Sequence, residues 1–167
     1  MAVTVEEIKA LREQTGAGIM DCKRALEQAE GDLDRALAIL QEQGIATAAR
    51  KVSRATSEGL VEAYIHSGGR IGAVVEVNCE TDFVARTPDF KGLAHDIAMQ
   101  VAAMDPVYLD SSDIPEGEDL EPQEACLLQQ PFIKDPTRTV QELVNDAIAR
   151  LGENVRVRRF ARFSVGE

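Results

Sequence analysis

The apolar residues of this chain keep two different periods, and the change falls at one short basic stretch. Up to residue 43 they recur at helical spacing between glycines, and from residue 58 to 78 they alternate with polar partners before helical spacing returns. A chain that switches period in this way folds neither as a single bundle nor as a single sheet. The charge agrees with the boundary. Residues 1–43 carry nine acids and five bases, residues 44–57 three bases and no acid, and residues 58–167 twenty acids and ten bases. The middle piece, GIATAARKVSRATS, opens on Gly44 and lacks a sustained apolar face, so it reads as a linker with some helical character. The expected organisation is a three-helix domain over 1–43, a linker over 44–57, and an α+β domain over 58–167, which suits 167 residues.

In the first domain Thr4 and Glu7 form a capping box. Ile8, Leu11 and Thr15 face inward, and Gly16 permits a left-handed stop. A second helix is expected over Asp21–Ala29 with Ala25 and Leu26 inward, ended by Gly31. Asp32 caps a third, with Leu33, Ala36, Leu37 and Leu40 inward up to Gly44. So few large side chains make a core that is marginal alone.

The second domain opens with a hairpin. Val61, Ala63 and Ile65 alternate, Ser67-Gly68-Gly69 breaks the run, and Ile71, Ala73, Val75 and Val77 alternate again. A three-residue loop would set Ile65, Ala63 and Val61 opposite Ile71, Ala73 and Val75. Thr81 then caps a short turn containing Phe83. Thr87-Pro88 restarts a helix with Phe90, Leu93, Ala94, Ile97, Val101 and Met104 on one face. Residues 105–124 hold eight acids and no base, with three prolines, and are expected to be a solvated loop. Thr139 and Glu142 cap an amphipathic helix stopped by Gly152. The final run alternates Val155, Val157, Ala161, Phe163 and Val165 against Arg156, Arg158, Phe160 and Arg162, a half-buried strand. Helices on one face of an antiparallel sheet follow from this order.

The formal net charge of −11 repels phosphate backbones and anionic surfaces, which argues against nucleic acid and membrane and favours protein partners. No segment approaches the roughly 18 apolar residues of a membrane span. The start, MAVTVEEIKALREQ, is acidic rather than signal-like, so the mature protein is expected to begin near residue 1. Cys22, Cys79 and Cys126 are odd in number and far apart, unlike a disulfide framework or a metal knuckle, and a reducing cytoplasm is the simplest setting. His66 and His95 stand without a ligand pattern around them. Gly16 and Gly18 follow a helix rather than a strand and lack a phosphate-loop spacing. Neither catalysis, metal nor cofactor is expected.

Two segments place large apolar residues at turns. One is Gly16-Ala17-Gly18-Ile19-Met20, the other Asn78-Cys79-Glu80-Thr81-Asp82-Phe83-Val84-Ala85-Arg86. Periodicity alone favours the core for Ile19, Met20 and Phe83, since exposed phenylalanine is uncommon without a partner. At these residues the chain resembles the bacterial translation elongation factor Ts family. The resemblance takes in LREQTGAGIMDCKRAL, GIATAARK, YIHSGGRIGAVVEVNCETDFVAR, QPFIKD and VRVRRFARFSVG, in order and over nearly the whole length.

The resemblance implies that the first domain is a ubiquitin-associated-like module docking on the nucleotide-binding domain of elongation factor Tu through Arg12, Ile19, Met20 and Lys23. It also implies that Asp82 and Phe83, with Thr81 and Val84 beside them, press between helices of that partner near its magnesium. His66 would lie at the same interface. The implied activity is exchange of GDP for GTP on elongation factor Tu, GDP-bound or nucleotide-free, without covalent chemistry. The chain departs from the family where members usually carry a longer helical insertion before Gln130. Short members tend to pair as dimers, so a homodimer through the final strand or a neighbouring surface is expected. Two other readings stand beside this one. An adaptor binding ubiquitin-like or helical peptides would account for the first domain only. A cysteine enzyme using Cys22 or Cys79 lacks a histidine partner.

Overall fold

The structure, a computed structural model, describes residues 3–167. The N-terminal module consists of α1 (Val5–Thr15), α2 (Ile19–Gln28) and α3 (Leu33–Lys51). The Thr4/Glu7 capping box forms, and Gly16 ends α1 at φ 67°. Leu11, Cys22, Ala25, Leu26, Ala29 and Ala36 make the small core. Two expectations are corrected here. Leu33 is 41 % exposed instead of buried, because it occupies the first residue of α3, where side chains lean back beyond the helix end. Helix α2 begins at Ile19 instead of Asp21, so Ile19 and Met20 sit on its first turn.

The segment expected as a linker with some helical character is helical over its first half. Residues 44–51 continue α3 without a break. Gly44 and Ala48 are buried, Gly44 passing Ala149 and Asp146 of α7 (Val140–Leu151) and Ala48 joining the core of the second domain. Small residues at this spacing let the two helices approach closely, and that packing outweighs the low helix propensity of glycine. The irregular connection is only residues 52–57. A cleft of about 160 Å³ remains between the α1–α2 turn and α7.

The second domain is a three-stranded antiparallel sheet ordered β1 (Glu58–Ile65), β2 (Ile71–Cys79), β5 (Val155–Ser164). Helices α5 (Pro88–Met104) and α7 cover one face. Phe90, Ile97 and Val101 of α5, Val140, Val144 and Ala147 of α7 and Val75, Val77 and Cys79 of β2 belong to one buried core. Thr87 caps α5, and Thr139 with Glu142 caps α7. The one-turn α4 (Asp82–Ala85) links β2 to α5, and between α5 and α7 lie α6 (Pro122–Ala125) and a two-stranded ribbon of β3 (Pro131–Phe132) and β4 (Asp135–Thr139). Buried Gln100 and Gln130 tie that ribbon to α5, the Gln100 amide donating to Gln130 Oε1 at 3.2 Å and to the Pro131 carbonyl at 3.0 Å. Met104, expected inward, is exposed at the end of its helix. The acidic stretch is mostly irregular, but Tyr108 bridges Cys126, and Cys126 is buried.

The hairpin register also differs from expectation. Ile65 pairs with Gly72 and Tyr64 with Ala73. The His66 N–H bonds the Ile71 carbonyl, leaving Ser67–Arg70 as a four-residue loop with Gly68 and Gly69 at φ 92° and 68°. This one-residue slip reverses the faces of β1. Leu60 and Tyr64 lean on the core while Val61 and Ile65 face outward. Tyr64 packs edge-on against His95 of α5, 5.8 Å between ring centroids, so the edge of the sheet accepts a polar-tipped ring.

In β5 a bulge opposite Glu76/Val77 leaves Arg158 as the extra residue, since Glu76 pairs with Arg159 and Val77 with Val157. The expected apolar face of β5 is thereby split. Val155 and Val157 are buried, whereas Ala161, Phe163 and Val165 point away from the helices.

Candidate functional site

Cys79 ends β2 and Thr81 starts α4, so the chain turns a corner within two residues. The Thr81 hydroxyl accepts the Val84 N–H, which caps the single helical turn. The Cys79 thiol donates to the Thr81 carbonyl at 3.1 Å. Alternation around one turn then separates the side chains. Val84 and Ala85 pack inward, while Phe83 is 79 % exposed and no aromatic ring stacks on it among the described residues. Asp82 pairs with Arg86 at 3.0 Å along the same turn.

The corner is fastened from outside. Glu153 Oε2 accepts the backbone N–H of both Glu80 and Thr81, each at 3.0 Å, and its Oε1 accepts the Thr81 hydroxyl at 2.6 Å. The backbone N–H of Asn154 donates to Glu80 Oε1 at 2.7 Å. Sequence reading missed Glu153 and Asn154. A Glu-Asn pair after a helix-stopping glycine looks like an ordinary turn, and only the 2 % exposure of Asn154 marks it as structural.

The second cluster lies on the module. Ile19 is 54 % and Met20 61 % exposed. Lys23 follows them at i+4 and i+3 on the outer face of α2, with a surface pairing to Glu27 at 3.8 Å. Arg12 is exposed in the last turn of α1. His66 is exposed at the hairpin loop, its Nδ1 3.1 Å from the Tyr64 hydroxyl. It stands at the opposite end of β2 from Thr81, and nine extended residues span roughly 30 Å. The structure thus gathers Thr81–Val84 at one corner and Ile19, Met20 and Lys23 on another surface, and leaves His66 apart from the corner.

Burial, followed by the Glu153 charge, pushes the Cys79 thiol up to about 11. Burial also raises Cys126. Both are poor nucleophiles at neutral pH. Among the described residues no group of three His, Cys, Asp or Glu side chains could hold a metal ion, and no helix is long and apolar enough to cross a membrane.

Comparison with known proteins adds the lineage. The family model described as Elongation factor TS matches residues 6–121 and 120–167. Elongation factor Ts of Carboxydothermus hydrogenoformans is 49 % identical over 195 aligned positions, covering 99 % of this chain and 90 % of that protein. Those of Moorella thermoacetica and Syntrophomonas wolfei are 50 % and 51 % identical, again over 99 % of this chain and over 96 % and 91 % of their own lengths. An alignment of 195 positions exceeds the 167 residues present, so at least 28 positions are gaps in this chain. The family match divides at residues 120–121, in the acidic stretch ahead of Gln130. With a family match spanning both domains and half of all positions identical to these relatives, this chain belongs to the elongation factor Ts family.

Proposed function

We propose that this protein binds elongation factor Tu, GDP-bound and nucleotide-free, and speeds release of GDP by disturbing the magnesium and phosphate site, making and breaking no covalent bond. The observation that carries the reading is Phe83, a large apolar ring on a fastened corner with most of its surface in water. Leaving it there is unfavourable, and burying one phenylalanine contributes roughly 1.5–3 kcal/mol. Moving a two-state partner from 1:99 to 99:1 takes about 5.5 kcal/mol of differential affinity. Phe83 therefore needs help, and Ile19, Met20, Lys23 and Arg12 on the module supply a second contact. Because α3 runs from the module onto α7 without a break, both contacts belong to one preorganised frame, which reduces the entropy lost on docking. Asp82 would act beside Phe83, whereas Thr81 and Val84 serve by holding the corner. The setting is the cytoplasm, where translation proceeds.

The outward sheet face supports a homodimer as the assembly. Val61, Ile65, Val74 and Phe163 lie on it, and Phe163 is 73 % exposed. The face also carries Glu76 paired with Arg159 at 2.7 Å, and a largely apolar face with its charges already paired can pack on a second copy of itself, two such sheets lying about 10 Å apart.

The division of labour is testable. Phe83→Ala slows release of fluorescent GDP more than it weakens binding, while Met20→Ala or Arg12→Ala chiefly weakens binding. Stopped-flow release at saturating protein and equilibrium titration separate the two. Equal effects of both variants in both assays would refute the division, and an unchanged GDP release rate on adding the wild-type chain would favour the peptide-binding adaptor.

A further inference from the structure

The loop between α7 and β5, Gly152-Glu153-Asn154, contains none of the contact residues and yet meets three separate segments. Lys51 Nζ, at the end of α3, donates to the Gly152 carbonyl at 2.5 Å. The Asn154 side-chain amide donates to the carbonyls of Arg54 at 2.9 Å and Val52 at 3.4 Å. Glu153 takes three hydrogen bonds from Glu80 and Thr81, and Arg54 closes the circuit by facing Glu80 at 3.6 Å. We propose that Glu153 is the positioning residue that aims Asp82 and Phe83, and that its loop joins this corner to the end of the module's long helix. The proposal rests on the reading of Phe83 as a contact residue.

The physical case starts from α4, which has four residues. A helix of one turn has no stability of its own. Phe83 projects into solvent, so nothing on the ring fixes its direction, and its aim is that of the backbone at residues 80–82. Beyond the turn's own bonds, from the Ala85 and Arg86 N–H groups to the Thr81 and Asp82 carbonyls, the Thr81 cap and the Cys79 thiol, the hydrogen bonds holding that backbone end on Glu153. A carboxylate makes each of them charge-assisted and stronger than a neutral one. The Thr81 hydroxyl spends its proton on Glu153 Oε1, which leaves a lone pair for the Val84 N–H, so one contact orients the cap that the next requires. Without Glu153 the corner samples other directions. A docking group that is correctly aimed only part of the time loses apparent affinity by that fraction.

The test uses the full chain. Hydrogen exchange on the free protein reads the corner directly. Glu153→Ala should speed exchange of the Thr81–Val84 amides on the order of tenfold relative to those of α5. Glu153→Gln should restore most of the protection, because its carbonyl oxygen can accept both backbone N–H groups and its amide can donate to Thr81. Glu153→Asp, one methylene shorter, should fail to reach all three donors, and it serves if the alanine variant does not fold. With elongation factor Tu, GDP release at saturating protein should slow on the order of tenfold for Glu153→Ala and recover for Glu153→Gln. Unchanged corner protection in a folded Glu153→Ala or Glu153→Asp, or a glutamine variant as loose as alanine, overturns the positioning role. If Glu153→Ala loosens the corner while Phe83→Ala leaves GDP release untouched, the positioning role holds and the contact reading of Phe83 is what fails.

Discussion

Replacing Gly44 by alanine separates a flexible tether from a continuous helix. Gly44 lies inside α3 with ordinary helical backbone, and a β-carbon built there would meet Asp146 Oδ1 at 3.7 Å and the Ala149 methyl at 3.9 Å. Both are comfortable van der Waals distances, so the added methyl costs nothing in packing. Alanine in a helix interior is about 0.8–1.0 kcal/mol more favourable than glycine. Gly44→Ala is therefore expected to stabilise the protein by about 1 kcal/mol, raising Tm by about 2–4 °C for a chain of this size. Differential scanning calorimetry reads the shift, and a urea midpoint that rises at unchanged slope would show that stability alone has changed. An unchanged or lowered Tm in Gly44→Ala would refute the continuous helix and return residues 44–51 to a tether.

Three further expectations follow from particular residues. Cys79 has its thiol raised from an ordinary 9.0 to about 11, so at pH 8 its thiolate is about a hundredfold scarcer than that of an ordinary cysteine. Iodoacetamide should modify it only after unfolding, read by mass spectrometry, and rapid native labelling would contradict this. The same group holds its proton more tightly folded than unfolded. Its contribution to stability is full below the ordinary thiol value and is lost as pH rises through about 11. Phe163→Glu puts a charge on the outward sheet face and should convert a dimer to a monomer in sedimentation velocity, with monomer stability changed by no more than about 0.5 kcal/mol. A wild-type chain that sediments as a monomer at high concentration would remove the sheet-face dimer.

What could be read from the sequence was mostly what local chemistry dictates. Thr4 with Glu7, Gly16, Thr87-Pro88, and Thr139 with Glu142 each satisfy backbone groups within a few residues of themselves, and each forms as expected. What could not be read depends on partners distant in the chain. The face of β1 was ambiguous because Leu60 and Tyr64 compete with Val61 and Ile65, and a loop one residue longer decides between them. The bulge at Arg158 exists only because β5 meets Glu76. Helix α3 passes through Gly44 because Ala48 finds the second core, a contact no local pattern records.

The candidate site divides along the same line. Spacing alone sends Phe83, Ile19 and Met20 inward, and family resemblance alone moves them to a surface. The structure places all three in solvent. Glu153 was invisible to both routes, since its role is to hold backbone 72 and 73 residues away.

Exchange on elongation factor Tu is a coupling of free energies, so reciprocal titration tests it. Two affinities are to be titrated on elongation factor Tu: that of this chain with and without GDP, and that of GDP with and without this chain. Linkage requires one factor for both. GDP and this protein should weaken each other by the same large factor, with the GDP dissociation rate rising in step. A GDP affinity and dissociation rate indifferent to saturating protein would contradict it.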